Sequence, residues 1–271
     1  MNLLNKFLDR TEFDSYEDFY ENYNLKYNDD FNFGFDVVDE YARICPEKQA
    51  LVWCDDEGRE RKFNYGELSK YTNKTANYFK SLGIKKGDMV MLILKRHYEF
   101  WFSIIALHKL GAVTIPATHL LTKKDVVYRC NSAKIKMIDC ADDDVVTKHI
   151  EDSLAESPTV KAIVVDRGEK EGWHSFEKGV EAASDVFERP TGDEKTSVKD
   201  TMLLYFTSGT TGEPKMVCHN FAYPLGHIPT AAYWHNVKDD GLHLTVADTG
   251  WGKAVWGKLY GQWLCEGAVF T

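Results

Sequence analysis

The sequence predicts an open, mostly parallel α/β sheet flanked by helices, followed by the start of a second α/β subdomain. Three observations lead there. Short apolar runs alternate with amphipathic runs of helical period from Met89 to Val165, and strands separated by helices pair in parallel. The chain has 271 residues, 44% apolar and 28% charged, which is enough to bury a full core and excludes a disordered chain or a disulfide mini-protein. A polar stretch between Ala183 and Lys199, carrying Pro190 and Gly192, separates the alternating region from a further apolar strand. The expected division is therefore an aromatic extension over 1–33 packed on the domain, a first α/β subdomain over 34–195, and the start of a second over 196–271.

The elements follow in order. Phe13 to Phe35 is acidic and aromatic, and so many rings should dock on a surface. Asn32 to Ile44 reads as a helix with Phe35, Val38, Tyr41 and Ala42 on one face, stopped before Pro46. Ala50–Cys54 and Lys62–Asn64 flank Asp55-Asp56-Glu57-Gly58, a hairpin pattern. Gly66 to Leu82 is an amphipathic helix with Leu68, Tyr71, Thr75, Phe79 and Leu82 inward, capped by Gly83. Met89–Leu94, Val113–Ile115, Ile135–Asp139 and Ala162–Val165 read as strands. Between them lie helices over Glu99–Leu110, ending at Gly111, over Thr122–Asn131, and over Asp142–Ala155. Thr122 with Asp125 resembles a capping box, and the acids Asp142-Asp143-Asp144 favour the positive end of a helix.

Charge and cysteine usage narrow the partners. Lys+Arg 33 against Asp+Glu 42 gives a net charge of −9, which speaks against nucleic acid or an anionic membrane as the main partner, since both are polyanions. Lys85-Lys86 and Lys123-Lys124 read as solvated faces. The six cysteines (Cys45, Cys54, Cys130, Cys140, Cys218, Cys265) form no C-x-x-C pair, as suits a reducing compartment. Met1 to Arg10 is too short and too mixed in charge for a signal peptide. No stretch reaches the roughly 18 uninterrupted apolar residues of a membrane helix. The expectation is a cytoplasmic protein without integral membrane association.

The chemistry concentrates in one segment. The apolar strand Asp200 to Phe206 runs into Thr207-Ser208-Gly209-Thr210-Thr211-Gly212-Glu213-Pro214-Lys215. Gly209 and Gly212 permit positive φ and remove bulk, so consecutive N–H groups can point into one concavity. The hydroxyls of Thr207, Ser208, Thr210 and Thr211 add donors, Pro214 stiffens the approach, and Lys215 supplies a point charge. Such an assembly suits a polyphosphate. It departs from the G-x-x-x-x-G-K-[ST] pattern, because Lys215 lies three residues past Gly212.

That nine-residue segment resembles the phosphate-binding signature of the adenylate-forming enzymes: acyl- and aryl-CoA synthetases, luciferases and peptide-synthetase adenylation domains. Further segments fall in the family's order. Phe63-Asn64-Tyr65-Gly66-Glu67-Leu68 resembles its [FT]-x-Y-x-E-L motif. Leu107-His108-Lys109-Leu110-Gly111-Ala112-Val113-Thr114-Ile115-Pro116 resembles its L-x-x-G-A-x-x-x-P helix-to-strand step. Ala247-Asp248-Thr249-Gly250-Trp251 resembles the A-D-x-G-W segment of acetyl- and medium-chain acyl-CoA synthetases, which points to the medium-chain subgroup.

The resemblance implies an acyl-CoA synthetase N-terminal domain and an ATP-dependent carboxylic acid–CoA ligase for short- to medium-chain acids. A carboxylate attacks the α-phosphate of Mg-ATP, and the thiol of coenzyme A then displaces AMP. The co-substrates implied are ATP, Mg2+ and coenzyme A, with the loop Thr207–Lys215 on the phosphates. Trp251 and Gly252 are expected to border the acyl pocket, against the plainer reading of Trp251 and Trp256 as core. Alternatives are an aryl-acid (benzoate-type) ligase and a non-catalytic nucleotide- or acyl-binding fragment. The family's adenine, ribose and Mg segments, hinge and catalytic Lys lie downstream of the residues present. No catalytic residue is assignable, and the expectation is a front portion with an incomplete cycle. His219, His227, His235 and His243 recur every eight residues, but a single helix would splay them and no zinc spacing is present; His219 alone lies near the proposed site.

Overall fold

The computed structural model describes residues 3–208 and 212–271. Two sheets organise them. The strands are β1 (Gln49–Cys54), β2 (Glu60–Asn64), β3 (Met89–Ile93), β4 (Val113–Pro116), β5 (Met137–Ala141), β6 (Ala162–Asp166), β7 (His174–Ser175), β8 (Thr201–Thr207), β9 (Lys215–Asn220), β10 (Leu242–Leu244) and β11 (Ala268–Phe270). Among the described residues the larger sheet runs β7-β6-β5-β3-β4-β8-β9 and the smaller β10-β11-β1-β2. The larger is parallel throughout except for β9, which returns antiparallel to β8. In the smaller sheet β10, β11 and β1 are parallel and β2 closes a hairpin with β1. The expected α/β class, open sheet and flanking helices are what the structure has.

Local signals set most boundaries. Helix Tyr65–Ser81 opens on a capping box, with Asn64 accepting from Glu67 N and Glu67 reaching back to Asn64 N, and Gly83 follows it at φ +85°. Helix Glu99–Leu110 ends on Gly111 at φ +72°, the left-handed exit that glycine adopts without penalty. Helix Lys123–Ala133 has the Thr122–Asp125 box in place. It runs two residues beyond the expected end and exits through Lys134 at φ +52°. The following strand accordingly starts at Met137, opposite Val90, instead of Ile135. Asp143 caps helix Asp144–Ser153, its Oδ1 accepting from the N–H groups of Val145 and Val146. Of the three consecutive acids, the middle one does the capping.

One expectation about organisation meets a different arrangement. Strand β8, after the 183–199 stretch, pairs with β4 (Thr114 beside Leu203), and β11 pairs with β1. The division expected at 195/196 is thus a long connection between strands of shared sheets. That connection is pinned: Asn73 and Asn77 donate to the backbone carbonyls of Asp185, Ser184 and Val186, and Arg189 pairs with Asp36 at 2.7 Å. The N-terminal segment docks through buried Leu3, Leu4, Phe7, Leu8 and Phe31, while Phe13, Phe19 and Tyr23 cluster with Tyr233. Tyr16 and Tyr20 stay largely exposed. Among the described residues no helix is long and apolar enough to cross a membrane.

Helix Glu99–Leu110 lies between the sheets with all of its residues buried. Its polar groups therefore need partners inside the protein. Arg167 forks onto the Glu99 carboxylate at 2.8 and 3.2 Å, and Ser103 Oγ donates to Asp139 Oδ2 at 2.7 Å. His108 Nε2 meets Tyr260 Oη at 2.7 Å, and Lys109 Nζ reaches Asp39 and Asn73, each at 2.6 Å.

Asp139 has no exposure, and its Oδ1 lacks a partner. Burial, against the opposing Ser103 bond, pushes its carboxyl up to about 8, and Glu99 and Glu177 add to the rise. The folded state therefore holds a proton that the unfolded chain releases near the ordinary value of 3.8. Stability falls as pH rises between those two values. Asp139→Asn removes this dependence: thermal unfolding should show the variant above wild type by at least about 2 °C at pH 9 and level with it or below at pH 5. Parallel pH profiles of the two proteins would overturn the assignment.

Candidate functional site

Ligands of open α/β sheets bind at the carboxyl ends of parallel strands. Here β4 and β8 are parallel neighbours, and a cleft of about 600 Å³ opens at their carboxyl ends. One wall is Pro116, Ala117 and Thr118 leaving β4. Another is Tyr205, Phe206, Thr207 and Ser208 leaving β8. Val217 and His219 on β9 and Tyr223 after it continue the lining, and Gly250, Trp251, Gly252 and Trp256 close the cleft from the other side.

The glycine-rich loop is the hairpin connection between β8 and β9, whose register places Thr207 opposite Lys215. Thr207 and Ser208 line the cleft, and Pro214 lines it at the loop's return. Gly209, Thr210 and Thr211 lie outside the described residues. Gly212 has φ +115°, a conformation that excludes most side chains. The returning end is anchored by Tyr128 Oη donating to the Pro214 carbonyl at 2.9 Å, with Lys124 at 3.8 Å from Glu213. Lys215 stands exposed at the start of β9, outside the cleft lining.

The opposite wall depends on a close approach. A Cβ on Gly250 would lie 2.2 Å from Thr118 N and 2.4 Å from the Ala117 carbonyl carbon. Only glycine lets the two backbones meet there. Gly250 N donates to Asp248 Oδ1 at 2.9 Å, and the Asp248 carboxylate sits 3.5 Å from His119 Nδ1. Trp251 lines the cleft but is 61% exposed, which sets it apart from a core tryptophan. Gly252 has room: an added Cβ would stand 3.7 Å from the Tyr205 ring.

The interior wall is a file of rings. Tyr205 and His219 lie 5.7 Å apart, His219 and Tyr223 4.0 Å, Tyr223 and His227 4.6 Å, and His227 and Trp256 5.8 Å. Burial lowers His219, and burial plus the neighbouring His219 brings His227 down to about 4. Burial raises Tyr205 and takes Tyr223 up to about 12. At neutral pH the wall is therefore uncharged. Among the described residues the charge in the lining is Arg129, whose guanidinium lies 5.1 Å from the Phe206 ring.

The structure thus brings Thr207, Ser208, Pro214, Trp251 and Gly252 to one cleft, with His219 among them, and leaves Glu213 and Lys215 at its rim. Tyr205, Tyr223, Arg129 and Thr118 went unread in the sequence. They sit in ordinary strand, helix and loop runs, and only the crossing of β4 by the Gly250 segment collects them. The eight-residue histidine spacing resolves into two ring groups, His219 with His227 through Tyr223, and His235 with His243 at 5.2 Å. Away from the cleft, His97, Glu99 and Asp166 approach one another closely enough to hold a cation. Arg167 already occupies Glu99, and His97 Nδ1 lies 2.5 Å from Asp166.

A parallel sheet whose strand ends meet a glycine-, serine- and threonine-rich hairpin beside a ring-lined cleft defines a nucleotide-type α/β fold. The chain belongs to the AMP-binding enzyme family, whose model matches residues 38–268. It is 34% identical over 249 residues to the acyl-coenzyme A synthetase ACSM5, mitochondrial, of Rattus norvegicus, covering 89% of this chain and 42% of that protein. It is 30% identical over 267 residues to ACSM3, mitochondrial, of Homo sapiens, covering 96% and 44%. The chain thus spans less than half the length of these relatives. Among solved structures, the anthranilate CoA ligase AuaEII in complex with anthranoyl-AMP shares the fold at TM-score 0.81 and 22% identity, over 90% of this chain and 45% of that one. A Brucella canis acyl-CoA synthetase gives TM-score 0.76 and 21% identity over 90% and 44%.

Gly250→Ala should cost about 1–3 kcal/mol through overpacking against the Ala117–Thr118 backbone, measured by denaturant unfolding. Gly252→Ala should stay within about 0.5 kcal/mol of wild type. Equal losses would contradict the packing described.

Proposed function

We propose that this chain forms part of an ATP-dependent carboxylic acid–CoA ligase acting on short- to medium-chain acids. The observation that carries the reading is the convergence of the loop's two flanks and the Trp251-Gly252 wall on one cleft. In the first half-reaction a substrate carboxylate attacks the α-phosphate of ATP, forming the acyl-adenylate and releasing pyrophosphate. In the second, the thiol of coenzyme A attacks the acyl carbon and AMP leaves. The chemical demand of the first half is stabilisation of the departing pyrophosphate. In this reading the loop Thr207–Lys215 meets it, with the Thr207 and Ser208 hydroxyls at the cleft mouth and Lys215 at the rim, where a long, mobile side chain can fold onto phosphate oxygens. Trp251, Gly252 and the neutral ring wall take the acyl group and exclude water from the reacting carboxylate.

The lining carries no carboxylate among the described residues. This donor set does not fit a protein-held Mg2+, which takes carboxylate and phosphate oxygens. The ring file also supports a second substrate class. Tyr205, Tyr223 and Trp256 offer edge and face contacts that favour a flat aryl acid, and one fold relative is an anthranilate CoA ligase.

Calorimetry on the 271-residue chain should show saturable ATP binding that Lys215→Ala weakens about tenfold or more, as expected for a charge-assisted phosphate contact. No binding, or binding untouched by the substitution, would sink the reading. Carboxylate-dependent ATP–pyrophosphate exchange with butyrate, octanoate and benzoate side by side separates alkyl from aryl preference. Binding without exchange for any acid identifies a nucleotide-binding piece alone.

A further inference from the structure

Helix Lys123–Ala133, which follows β4, packs against the glycine-rich loop and the strand that leads into it. Tyr128 Oη donates to the Pro214 carbonyl at 2.9 Å, its ring meets that of Phe206 edge-on at 6.1 Å, and Lys124 Nζ stands 3.8 Å from Glu213. The next residue along the helix, Arg129, lines the cleft together with Thr207, Ser208 and Pro214. Consecutive residues of one helix thus hold the loop's return and present a guanidinium to the same space.

Arg129 is not an ordinary surface arginine. Its side chain is 13% exposed, and its guanidinium lies over the ring of Phe206, the residue before Thr207. A ring face steadies the flat fork, and a guanidinium gives up its water more readily than an ammonium does. The acid one turn back does not grip that fork. Asp125 Oδ2 accepts from Thr122 N at 2.9 Å and from Thr122 Oγ1 at 2.6 Å as part of the helix cap. Its Oδ1 stands 3.7 Å from Arg129 Nη1, beyond hydrogen-bond distance. Nη1 donates instead to the Asp125 carbonyl oxygen at 3.3 Å. Burial pushes the guanidinium below its ordinary value, with Asp125 opposing, and an arginine stays charged at neutral pH all the same.

We infer that Arg129 is a phosphate-binding residue of this cleft, holding ATP phosphate oxygens alongside the hydroxyls of the loop. The inference rests on the proposal that the cleft takes ATP. Position favours phosphate over the substrate carboxylate. Phe206 beneath the guanidinium and Tyr128 beside it both belong to the loop's surroundings, whereas Trp251 and Gly252 close the cleft from the other side. Chemistry agrees. A guanidinium offers two parallel N–H donors to two oxygens of one phosphate, an arrangement that the point charge of Lys215 cannot supply.

Calorimetry with ATP tests it. Arg129→Gln should weaken ATP binding about tenfold, the worth of one charge-assisted contact, while adenosine, octanoate and benzoate titrate as with wild type. Arg129→Lys keeps the charge and the stem but loses the fork, and should fall between the two. It carries the test by itself where Arg129→Gln impairs folding. A loss confined to the acids would put the guanidinium on the substrate carboxylate, and a loss shared by ATP with adenosine or an acid would reduce it to packing; either overturns the inference. Variants that bind ATP like wild type overturn it as well and leave the ligase reading standing. A wild-type chain that binds no ATP sinks that reading and the inference with it.

Discussion

The structure depends on one constraint: a helix with no solvent-exposed residue that carries four strongly polar side chains. Glu99, Ser103, His108 and Lys109 sit on a single helix between two sheets, where an unpartnered polar group costs on the order of 1–3 kcal/mol and a charge more. Each requirement recruits a different part of the chain. Glu99 draws in Arg167 after β6, Ser103 meets Asp139 on β5, Lys109 holds Asp39 and Asn73, and His108 takes Tyr260. The Asn32 amide, donating to the His108 carbonyl at 2.7 Å and to Thr196 Oγ1 at 3.2 Å, adds the long connection before β8 to the same helix. Elements far apart in sequence are thereby held in one arrangement.

That arrangement is what makes the cleft. The helix joins β3 to β4, so its packing places the carboxyl end of β4 beside β8. The His108–Tyr260 bond fixes the C-terminal helical segment that carries Gly252 and Trp256. Gly250 can then lie directly on the Ala117–Thr118 backbone. The electrostatics divide accordingly. The ring wall is neutral because burial keeps both histidines deprotonated and the phenols protonated, while the cations are Arg129 in the lining and Lys215 at the rim.

Much of the fold was legible because its signals are local. The Asn64–Glu67 and Thr122–Asp125 boxes, the glycines at 83 and 111, and the alternation from β3 to β6 depend only on neighbours in the chain. Ile135 shows the limit. Its apolar side chain reads as strand, yet the helix before it runs to Ala133 and pairing with β3 begins at Met137. The stretch over 183–199 reads as a boundary because it is polar and irregular. Its composition holds no information that β8 returns beside β4, which depends on the open edge of a distant strand. In the site, the loop and Trp251 were legible as motifs. Arg129, Tyr205 and Tyr223 were not, since each belongs to an ordinary run and acquires its place only through packing.

What the sequence determined alone is the class and the chemistry on offer: alternating strands and helices, a flexible donor-rich loop ending in a lysine, and an aromatic segment beyond it. These are set by backbone propensity, side-chain period and residue type, all readable within a few residues. The tertiary structure decided which groups share a cleft and which histidines are neutral. Those properties depend on distance and desolvation, and neither exists until strands remote in sequence lie side by side.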